Sequence, residues 1–209
     1  MNPKPGQLPL VRESVRSRDD LFLIRNFLSP AECQQWIAHA ESSGFEQASV
    51  STTVGQIIAP DVRNNDRLIW DDPVLAADWW QRAREFMPPK FGRWQSLGLN
   101  ERFRFYRYRA GQRFAQHHDG SYQRSTDENS WLTLMVYLND DYSGGTTRFD
   151  LANEPEPLVI EPTAGTALVF MHERLHEGAA VISGSKYVLR TDVMYRRLAP
   201  EQAAPSEPG

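Results

Sequence analysis

The sequence predicts a mainly β chain with flanking helices, an α+β domain of the jelly-roll type, and two observations predict it. Short runs that alternate in polarity or are rich in β-branched residues recur at residues 102–109, 131–138, 158–160, 166–171 and 187–195. Turn-forming stretches separate these runs, which indicates an antiparallel sandwich or barrel rather than a parallel sheet. Helical patterns, in contrast, occur only before residue 101. The helices should therefore pack on the sheet.

The first predicted helix has a complete N-terminal signal. Ser29 can cap it, Pro30 suits its first position, and Glu32 can complete a capping box. The helix should run to about residue 43, because Gly44 follows and glycine commonly terminates helices.

A second helix is predicted from Asp72 and Pro73 through Phe86, where the Pro-Pro pair that follows should stop it. Between the two helices, residues 48–67 contain Gly, Ser, Thr and Asn without a convincing period. We interpret this segment as a loop that could move over a site.

Length and composition indicate one catalytic domain with two short tails. A chain of 209 residues has the size of one ordinary domain and can bury a sizeable core. Residues 1–20 and 199–209 are polar or rich in Pro, Ala, Glu and Ser, so we expect both to be flexible. Residues 21–198 then form the domain, with a helical support region and possible lid at 21–100 and the β core at 101–198.

Charge and cysteine content exclude several function classes. The net charge of −4 and the pI near 5.8 argue against a nucleic-acid or anionic-membrane binder. No stretch approaches the roughly 20 apolar residues that cross a bilayer. Cys33 is the single cysteine, so no intramolecular disulfide can form, and we expect a cytoplasmic protein. The oligomeric state is left open.

A candidate metal site begins at His117 and Asp119. Residues two apart on an extended strand share a face, so these two side chains can project together while His118 points away. His176, just past the run at 166–171, can supply a third ligand. Two imidazoles and one carboxylate on one face of an octahedron leave three positions open, which is the arrangement of non-haem Fe(II) oxygenases.

Some assignments around this site stay open at the level of the sequence. His172 ends an apolar run and is the main rival of His176 for the distal ligand position. Lys186 and Arg190 share one face of the next strand, and either could bind the distal carboxylate of a dicarboxylate co-substrate. The alternative interpretation is that both are solvated strand charges.

Over about residues 22–196 the sequence resembles the prolyl-4-hydroxylase-like branch of the Fe(II)/2-oxoglutarate-dependent dioxygenases. The matching segments are RFYRY at 104–108, GQ at 111–112, HHDG at 117–120, LTLMVYLND at 132–140, GGTTRF at 144–149, GTALVF at 165–170, LHEG at 175–178 and GSKYVLR at 184–190. DVRNNDR at 61–67 is similar to the segment that precedes the barrel in this family.

The resemblance implies a double-stranded β-helix, a jelly roll also found in cupins, in which His117, Asp119 and His176 are the catalytic iron ligands. The enzyme would hydroxylate an unactivated C–H bond of a prolyl, peptidyl or small-molecule substrate. Fe(II), 2-oxoglutarate and O2 would be required, succinate and CO2 would be released, and ascorbate is a candidate reductant.

The resemblance also implies a set of contacts to 2-oxoglutarate. The basic residue of the family that binds the C5 carboxylate falls on Lys186, with Arg190 as a second candidate on the same face. Tyr137 matches a tyrosine that helps to hold this carboxylate, and Tyr108 matches one that lines the pocket. Both tyrosines could instead be packing residues.

Two other classes of function stay open. Jelly rolls host many chemistries, so a cupin-like metal enzyme that does not use 2-oxoglutarate is one alternative. The other is a sensor or binding module that has kept the fold without catalysis.

Overall fold

The computed structural model describes residues 8–16, 18–52, 55–152 and 154–199. Two helices, α1 (Pro30–Ser43) and α2 (Pro73–Ala83), lie in the first part of the chain. The strands are β1 (Val11–Ser14), β2 (Leu21–Arg25), β3 (Glu46–Gln47), β4 (Val50–Thr52), β5 (Gly55–Ile57), β6 (Asp66–Asp71), β7 (Lys90–Phe91), β8 (Trp94–Leu99), β9 (Arg102–Arg109), β10 (Phe114–His117), β11 (Gln123–Ser125), β12 (Glu128–Tyr137), β13 (Ser143–Gly144), β14 (Thr147–Phe149), β15 (Leu158–Ile160), β16 (Ala167–Met171), β17 (His176–Gly178), β18 (Val181–Ser183) and β19 (Ser185–Arg197). The expected mainly β chain with early helices is confirmed.

Two antiparallel sheets form the body of the fold. The larger has 11 strands, and its main path runs β1-β2-β16-β12-β19-β9-β6-β3. The smaller has four strands in the order β10-β17-β14-β15. Side chains of both sheets meet in one buried cluster, in which Tyr137 and Leu168 of the larger sheet pack with Phe149 and Ile160 of the smaller. The pairing of antiparallel sheets around a shared core is that of the predicted jelly roll.

Helix α1 has the N-terminus that the sequence predicts. The Ser29 hydroxyl accepts from the backbone N–H of Glu32, and the Glu32 carboxylate accepts from the backbone N–H of Ser29 at 2.8 Å. A capping box of this kind satisfies two backbone donors that the helix itself leaves unpaired. Cys33 and Ala40 are the buried residues of α1 and belong to the core on the outer face of the larger sheet.

Helix α2 ends three residues earlier than predicted. The Asp72 carboxylate caps its start by accepting from the backbone N–H of Leu75 at 2.9 Å. The helix stops at Ala83, and a tighter turn follows in which the N–H of Phe86 bonds to the Ala83 carbonyl at 2.9 Å. The two prolines lack the N–H groups that would continue the helical hydrogen bonds. A proline also disfavours the helical conformation of the residue before it, so the helix ends ahead of the pair.

The β core follows the predicted runs, with extensions. Strands β9 and β15 have the predicted bounds. Strand β12 begins three residues before its predicted run and ends one residue before it, and β19 extends two residues beyond its run at each end. Strands β6 and β8 were not predicted, although both belong to the larger sheet. The prediction of a loop at 48–67 is therefore wrong in part, because β4 and β5 pair there and β6 begins at Asp66. The three residues of β5 are all exposed, so the segment lacks the apolar alternation that identifies a strand in sequence.

The predicted N-terminal tail is too long. Residues Val11–Ser14 pair with β2 as an antiparallel edge strand, and the Arg12 guanidinium lies 4.2 Å from the centre of the Phe22 ring. The pairing gives this polar segment backbone partners that its composition does not reveal. Residues 1–7, and all of the predicted C-terminal tail beyond Ala199, lie outside the described residues. Across the described ranges, neither helix has the length and apolar character needed to span a bilayer.

Candidate metal centre

Three side chains that the sequence places far apart converge at one end of the barrel. His117 on β10 and His176 on β17 are direct partners in the smaller sheet. Asp119 follows β10, and its backbone N–H bonds to the carbonyl of His172 at 3.0 Å. One ligand atom from each of His117, Asp119 and His176 lies within 4.8 Å of the other two. This separation suits the coordination of a single metal ion.

Backbone carbonyls orient both imidazoles toward the same point. Nδ1 of His117 lies 2.8 Å from the Ala115 carbonyl, and Nδ1 of His176 lies 2.8 Å from the Arg174 carbonyl. Since a carbonyl only accepts, each Nδ1 carries the proton and each Nε2 presents its lone pair. These Nε2 atoms lie 3.6 and 3.9 Å from the Asp119 carboxylate oxygens.

The protonation states match a divalent cation. Burial lowers the pKa of His176 to about 4, so this imidazole is neutral at physiological pH. Burial alone would raise the pKa of Asp119, but the charge of Arg190 holds it well below its ordinary value. Neutral imidazoles and an ionised carboxylate are the forms that bind a metal. The donor set therefore fits Fe(II).

The structure does not bring the rival His172 into this group. His172 is buried, and its two ring nitrogens lie 2.9 Å from the Ser130 hydroxyl and 3.1 Å from the Thr133 hydroxyl. Thr133 in turn donates to the Asp119 carboxylate at 2.5 Å. His172 therefore supports the carboxylate through Thr133 and has no free nitrogen for a metal.

Lys186 lies deep in the cavity beside the metal group. Its side chain is buried, its Nζ donates to the Gly145 carbonyl at 2.6 Å, and it lies 5.4 Å from the ring centres of both Tyr108 and Tyr137. In the part of the chain that the structure describes, no carboxylate forms an ion pair with it. Burial accordingly lowers the pKa of Lys186 to about 7.

Arg190, four residues further along the same face, is already neutralised. Its guanidinium forms ion pairs with Asp119 at 3.3 Å and with Asp192 at 3.0 Å. Asp192 is almost fully buried and also pairs with Arg104 at 3.1 Å. The two candidate anchors of the sequence therefore differ: Arg190 supports a carboxylate of the protein, and Lys186 does not.

The two tyrosines have different positions. Tyr108 lines the cavity, whereas Tyr137 is fully buried beneath it. The Tyr137 hydroxyl lies 2.6 Å from the hydroxyl of Thr147, which itself lines the cavity beside Lys186. Tyr137 thus supports the Lys186 end of the cavity through its ring and through Thr147.

Several wall residues were not assigned a role from the sequence. The Phe114 ring stacks on His117 with ring centres 3.5 Å apart, which fixes the imidazole plane. Thr133 lies on the same face of β12 as Tyr137, so strand alternation could have placed it in the cavity. The full lining consists of Tyr106, Tyr108, Phe114, His117, Asp119, Thr133, Met135, Thr147, Phe170, His176, Gly178, Lys186, Val188 and Arg190.

Comparison with known proteins agrees with this geometry. The family model of the 2OG-Fe(II) oxygenase superfamily matches residues 103–191, a range that contains all the residues of the proposed site. A putative prolyl 4-hydroxylase of Acanthamoeba polyphaga mimivirus is 26% identical over 188 residues, which cover 80% of this chain and 71% of that protein. Prolyl 4-hydroxylase 1 of Arabidopsis thaliana is 25% identical over 195 residues, covering 80% of this chain and 66% of that protein. The chain thus spans about two thirds of the length of these relatives.

Solved structures of prolyl hydroxylases share the fold. The enzyme of Trichoplax adhaerens in complex with a peptide of hypoxia inducible factor superposes with a TM-score of 0.66 at 17% identity, covering 84% of this chain and 83% of that one. The Pseudomonas putida prolyl-4-hydroxylase gives a TM-score of 0.62 at 19% identity, covering 86% and 94% of the two chains. The expected double-stranded β-helix is confirmed. Residues 103–191 thus match the 2OG-Fe(II) oxygenase superfamily, and the chain is similar to prolyl 4-hydroxylases, which supports a 2-oxoglutarate-dependent dioxygenase.

Proposed function

We propose that His117, Asp119 and His176 hold one Fe(II) ion and that the enzyme hydroxylates a C–H bond of its substrate, with release of succinate and CO2. The observation that carries the proposal is the convergence of these three ligand atoms within 4.8 Å at the wall of a cavity. When bound there, iron would supply the activation of O2 that the side chains of a protein cannot provide. The protein would contribute ligand geometry, co-substrate orientation and exclusion of water.

Lys186 is the proposed anchor for the C5 carboxylate of 2-oxoglutarate. Its buried ammonium group has only the Gly145 carbonyl as a hydrogen-bond partner in the described part of the chain. A buried, unpaired charge is costly, and a ligand carboxylate would offset this cost. Arg190 has two carboxylate partners, so a further carboxylate there would compete with Asp119 and Asp192. The ion pairs of Arg190 therefore favour Lys186.

The lowered pKa of Lys186 predicts a pH-dependent affinity for 2-oxoglutarate. Only the ammonium form attracts the carboxylate, and burial brings its pKa down to about 7 in the free protein. The carboxylate of the ligand should raise this pKa again on binding. The dissociation constant should therefore increase up to about tenfold per pH unit above 7 and be nearly constant below it. Calorimetric titration of metal-loaded protein from pH 6 to 9 measures this slope, and Lys186→Arg should flatten it.

The substrate class is proposed from the relatives. The names of the similar proteins designate prolyl hydroxylases, and one was solved with a peptide of hypoxia inducible factor. We infer that a prolyl residue, in a peptide or in a smaller molecule, is the leading substrate for this chain. The cytoplasmic location and the use of ascorbate stay predictions from the sequence, as does closure of residues 48–67 over the cavity. The oligomeric state stays open.

The proposed function is tested by two measurements on the full chain. Fe(II)-loaded protein in air should convert 2-oxoglutarate to succinate slowly without substrate, and the conversion should stop under anaerobic conditions. In addition, 2-oxoglutarate should raise the melting temperature of the Mn(II)-loaded protein, because a ligand of the native state stabilises it. Stabilisation without succinate would support the binding-module alternative. Neither stabilisation nor succinate would favour a cupin-like enzyme without 2-oxoglutarate.

A further inference from the structure

His172 lies in the middle of a chain of hydrogen bonds that ends on a proposed metal ligand. Its Nδ1 lies 3.1 Å from the hydroxyl of Thr133, which donates to Oδ2 of Asp119 at 2.5 Å. Its Nε2 lies 2.9 Å from the hydroxyl of Ser130, which accepts the backbone N–H of Tyr122 at 2.7 Å. The chain of bonds thus joins the carboxylate of the ligand to a backbone amide three residues further along the sequence.

The bonds of this chain can run in only one direction. The Asp119 carboxylate is ionised and only accepts, so the single proton of the Thr133 hydroxyl points at it. The Thr133 oxygen then accepts from Nδ1 of His172 and, at 3.3 Å, from Arg190. Burial lowers the pKa of His172, so the ring is neutral and its Nε2 accepts the proton of the Ser130 hydroxyl. A neutral His172 with its proton on Nδ1 therefore pairs each donor of the chain with an acceptor.

Backbone hydrogen bonds hold the same segments together independently of the ring. The N–H of Asp119 bonds to the His172 carbonyl at 3.0 Å, and the N–H of Ser130 bonds to the Tyr122 carbonyl at 2.9 Å. The His172 side chain is buried, whereas residues 120–122 are exposed. A substitution of the His172 side chain leaves these backbone bonds possible, so the contribution of the ring can be measured separately.

The Asp119 carboxylate needs such support because a second cation lies beside it. Its Oδ1 lies 3.3 Å from the Arg190 guanidinium, and its Oδ2 lies 3.9 Å from Nε2 of His176. Rotation about the Cβ–Cγ bond of an aspartate has a broad, roughly two-fold preference, so the side chain alone does not fix its two oxygens. The Thr133 hydroxyl fixes Oδ2, and His172 in turn fixes the direction of that hydroxyl.

We propose that His172 is a positioning residue of the metal centre, whose ring orients the Thr133 hydroxyl toward the Asp119 carboxylate and ties the segment after Asp119 to the same point. This inference rests on the proposed function, because it takes Asp119 as a metal ligand. His172 itself does not reach the ion, so it acts through Thr133. Loss of a partner that orients a metal ligand typically weakens metal binding about 10- to 100-fold.

The first test reads the position of the proton on His172 and needs no metal ion. ¹⁵N NMR of the full chain labelled with ¹⁵N-histidine distinguishes protonated from unprotonated ring nitrogens, and His172→Asn identifies the resonances. At neutral pH the proton of His172 should be on Nδ1. A proton on Nε2 would overturn the proposal, because the Thr133 hydroxyl would then have to donate to the ring instead of to Asp119.

The second test compares variants by their affinity for Co(II) and by the visible absorption spectrum of bound Co(II), which reports its coordination geometry. His172→Phe keeps a flat ring without hydrogen bonds, and it should weaken Co(II) binding about 10- to 100-fold and change the spectrum. His172→Asn carries an amide nitrogen that can take the place of Nδ1, so it should lose less than about tenfold. The matched control is His118→Phe, since the His118 ring is exposed and bonds to the Glu173 carbonyl outside the cavity. It should bind Co(II) as the unmodified chain does.

The third test separates positioning from packing by a double-mutant cycle with Thr133→Val, which removes the hydroxyl and keeps the branched shape. If His172 acts through Thr133, adding His172→Phe to Thr133→Val should weaken Co(II) binding by less than about twofold more. Fully additive losses would overturn the proposal, as would an unchanged affinity and spectrum in His172→Phe alone. If His172→Phe does not fold, the proton position and the His172→Asn variant still decide. An unmodified chain that binds no Co(II) would instead overturn the proposed function, and the positioning role with it.

Discussion

Replacement of His176 by alanine should abolish metal-dependent succinate formation and weaken metal binding by several orders of magnitude. A facial triad supplies three protein ligands to the metal ion. With one of them removed, the two ligands that remain cannot hold the ion in its octahedral geometry. The Nδ1 of His176 is bonded to the Arg174 carbonyl, so Nε2 is the ring nitrogen that is left for a metal ion. Metal affinity is measured by competition with a chromophoric chelator, and turnover by succinate release.

His118 is the matched control for this prediction. It lies between the two ligands of β10 and the following turn, but its ring is exposed and its Nδ1 contacts the Glu173 carbonyl at 3.0 Å. His118→Ala should keep metal affinity and succinate formation within about twofold, as expected for a surface substitution. Metal-dependent turnover in the His176 variant, or equal losses in both variants, would contradict the proposed ligand set.

The pairing of His117 with Asp119 as candidate metal ligands was predictable because its information is local. Two-residue periodicity on an extended strand places His117 and Asp119 on one face and His118 on the other, and the structure shows this arrangement. The choice between His172 and His176 rested on the resemblance of the LHEG segment to a family. The structure adds a physical reason, since Ser130 and Thr133 occupy both ring nitrogens of His172.

The division of roles between Lys186 and Arg190 was not predictable from alternation. Both residues lie on the same face of β19, so the two-residue alternation of a strand predicts the same position for each and cannot tell them apart. The difference depends on Asp119 and Asp192, which are brought to Arg190 only by the folded sheets. Arg63 illustrates the same limit, because it belongs to a segment without a period and packs on Phe114 and Tyr106, two residues that line the cavity. Long-range contacts of this kind leave no regular signal in one sequence.

Replacement of Lys186 by methionine should raise the dissociation constant of 2-oxoglutarate on the order of 100- to 1,000-fold. Loss of one partner of a buried charge pair typically costs 2–5 kcal/mol, and every 1.4 kcal/mol corresponds to a factor of ten. Methionine keeps the unbranched shape, so the cavity should stay filled. The affinity is measured by calorimetry on Mn(II)-loaded protein under anaerobic conditions.

Arg190→Met is the control that separates the two candidate anchors. Since Arg190 pairs with Asp119 and Asp192, this variant should weaken metal binding more than it weakens 2-oxoglutarate binding at saturating metal. The reverse ranking, with Arg190→Met losing more affinity for 2-oxoglutarate than Lys186→Met, would move the anchor to Arg190.

The same Lys186 variant should make the ligand-free protein more stable. The folded pKa of Lys186, about 7, lies well below that of a solvated lysine, so burial of the ammonium group destabilises the fold. This penalty is complete below pH 7 and disappears as pH rises toward the pKa of the unfolded chain. Lys186→Met removes it, so at pH 6 its melting temperature without 2-oxoglutarate should exceed that of the unmodified protein, and 2-oxoglutarate should add little. If Lys186 serves to bind 2-oxoglutarate, its replacement should stabilise the ligand-free protein and weaken ligand binding. If Lys186 only supported the fold, its replacement should make the protein less stable.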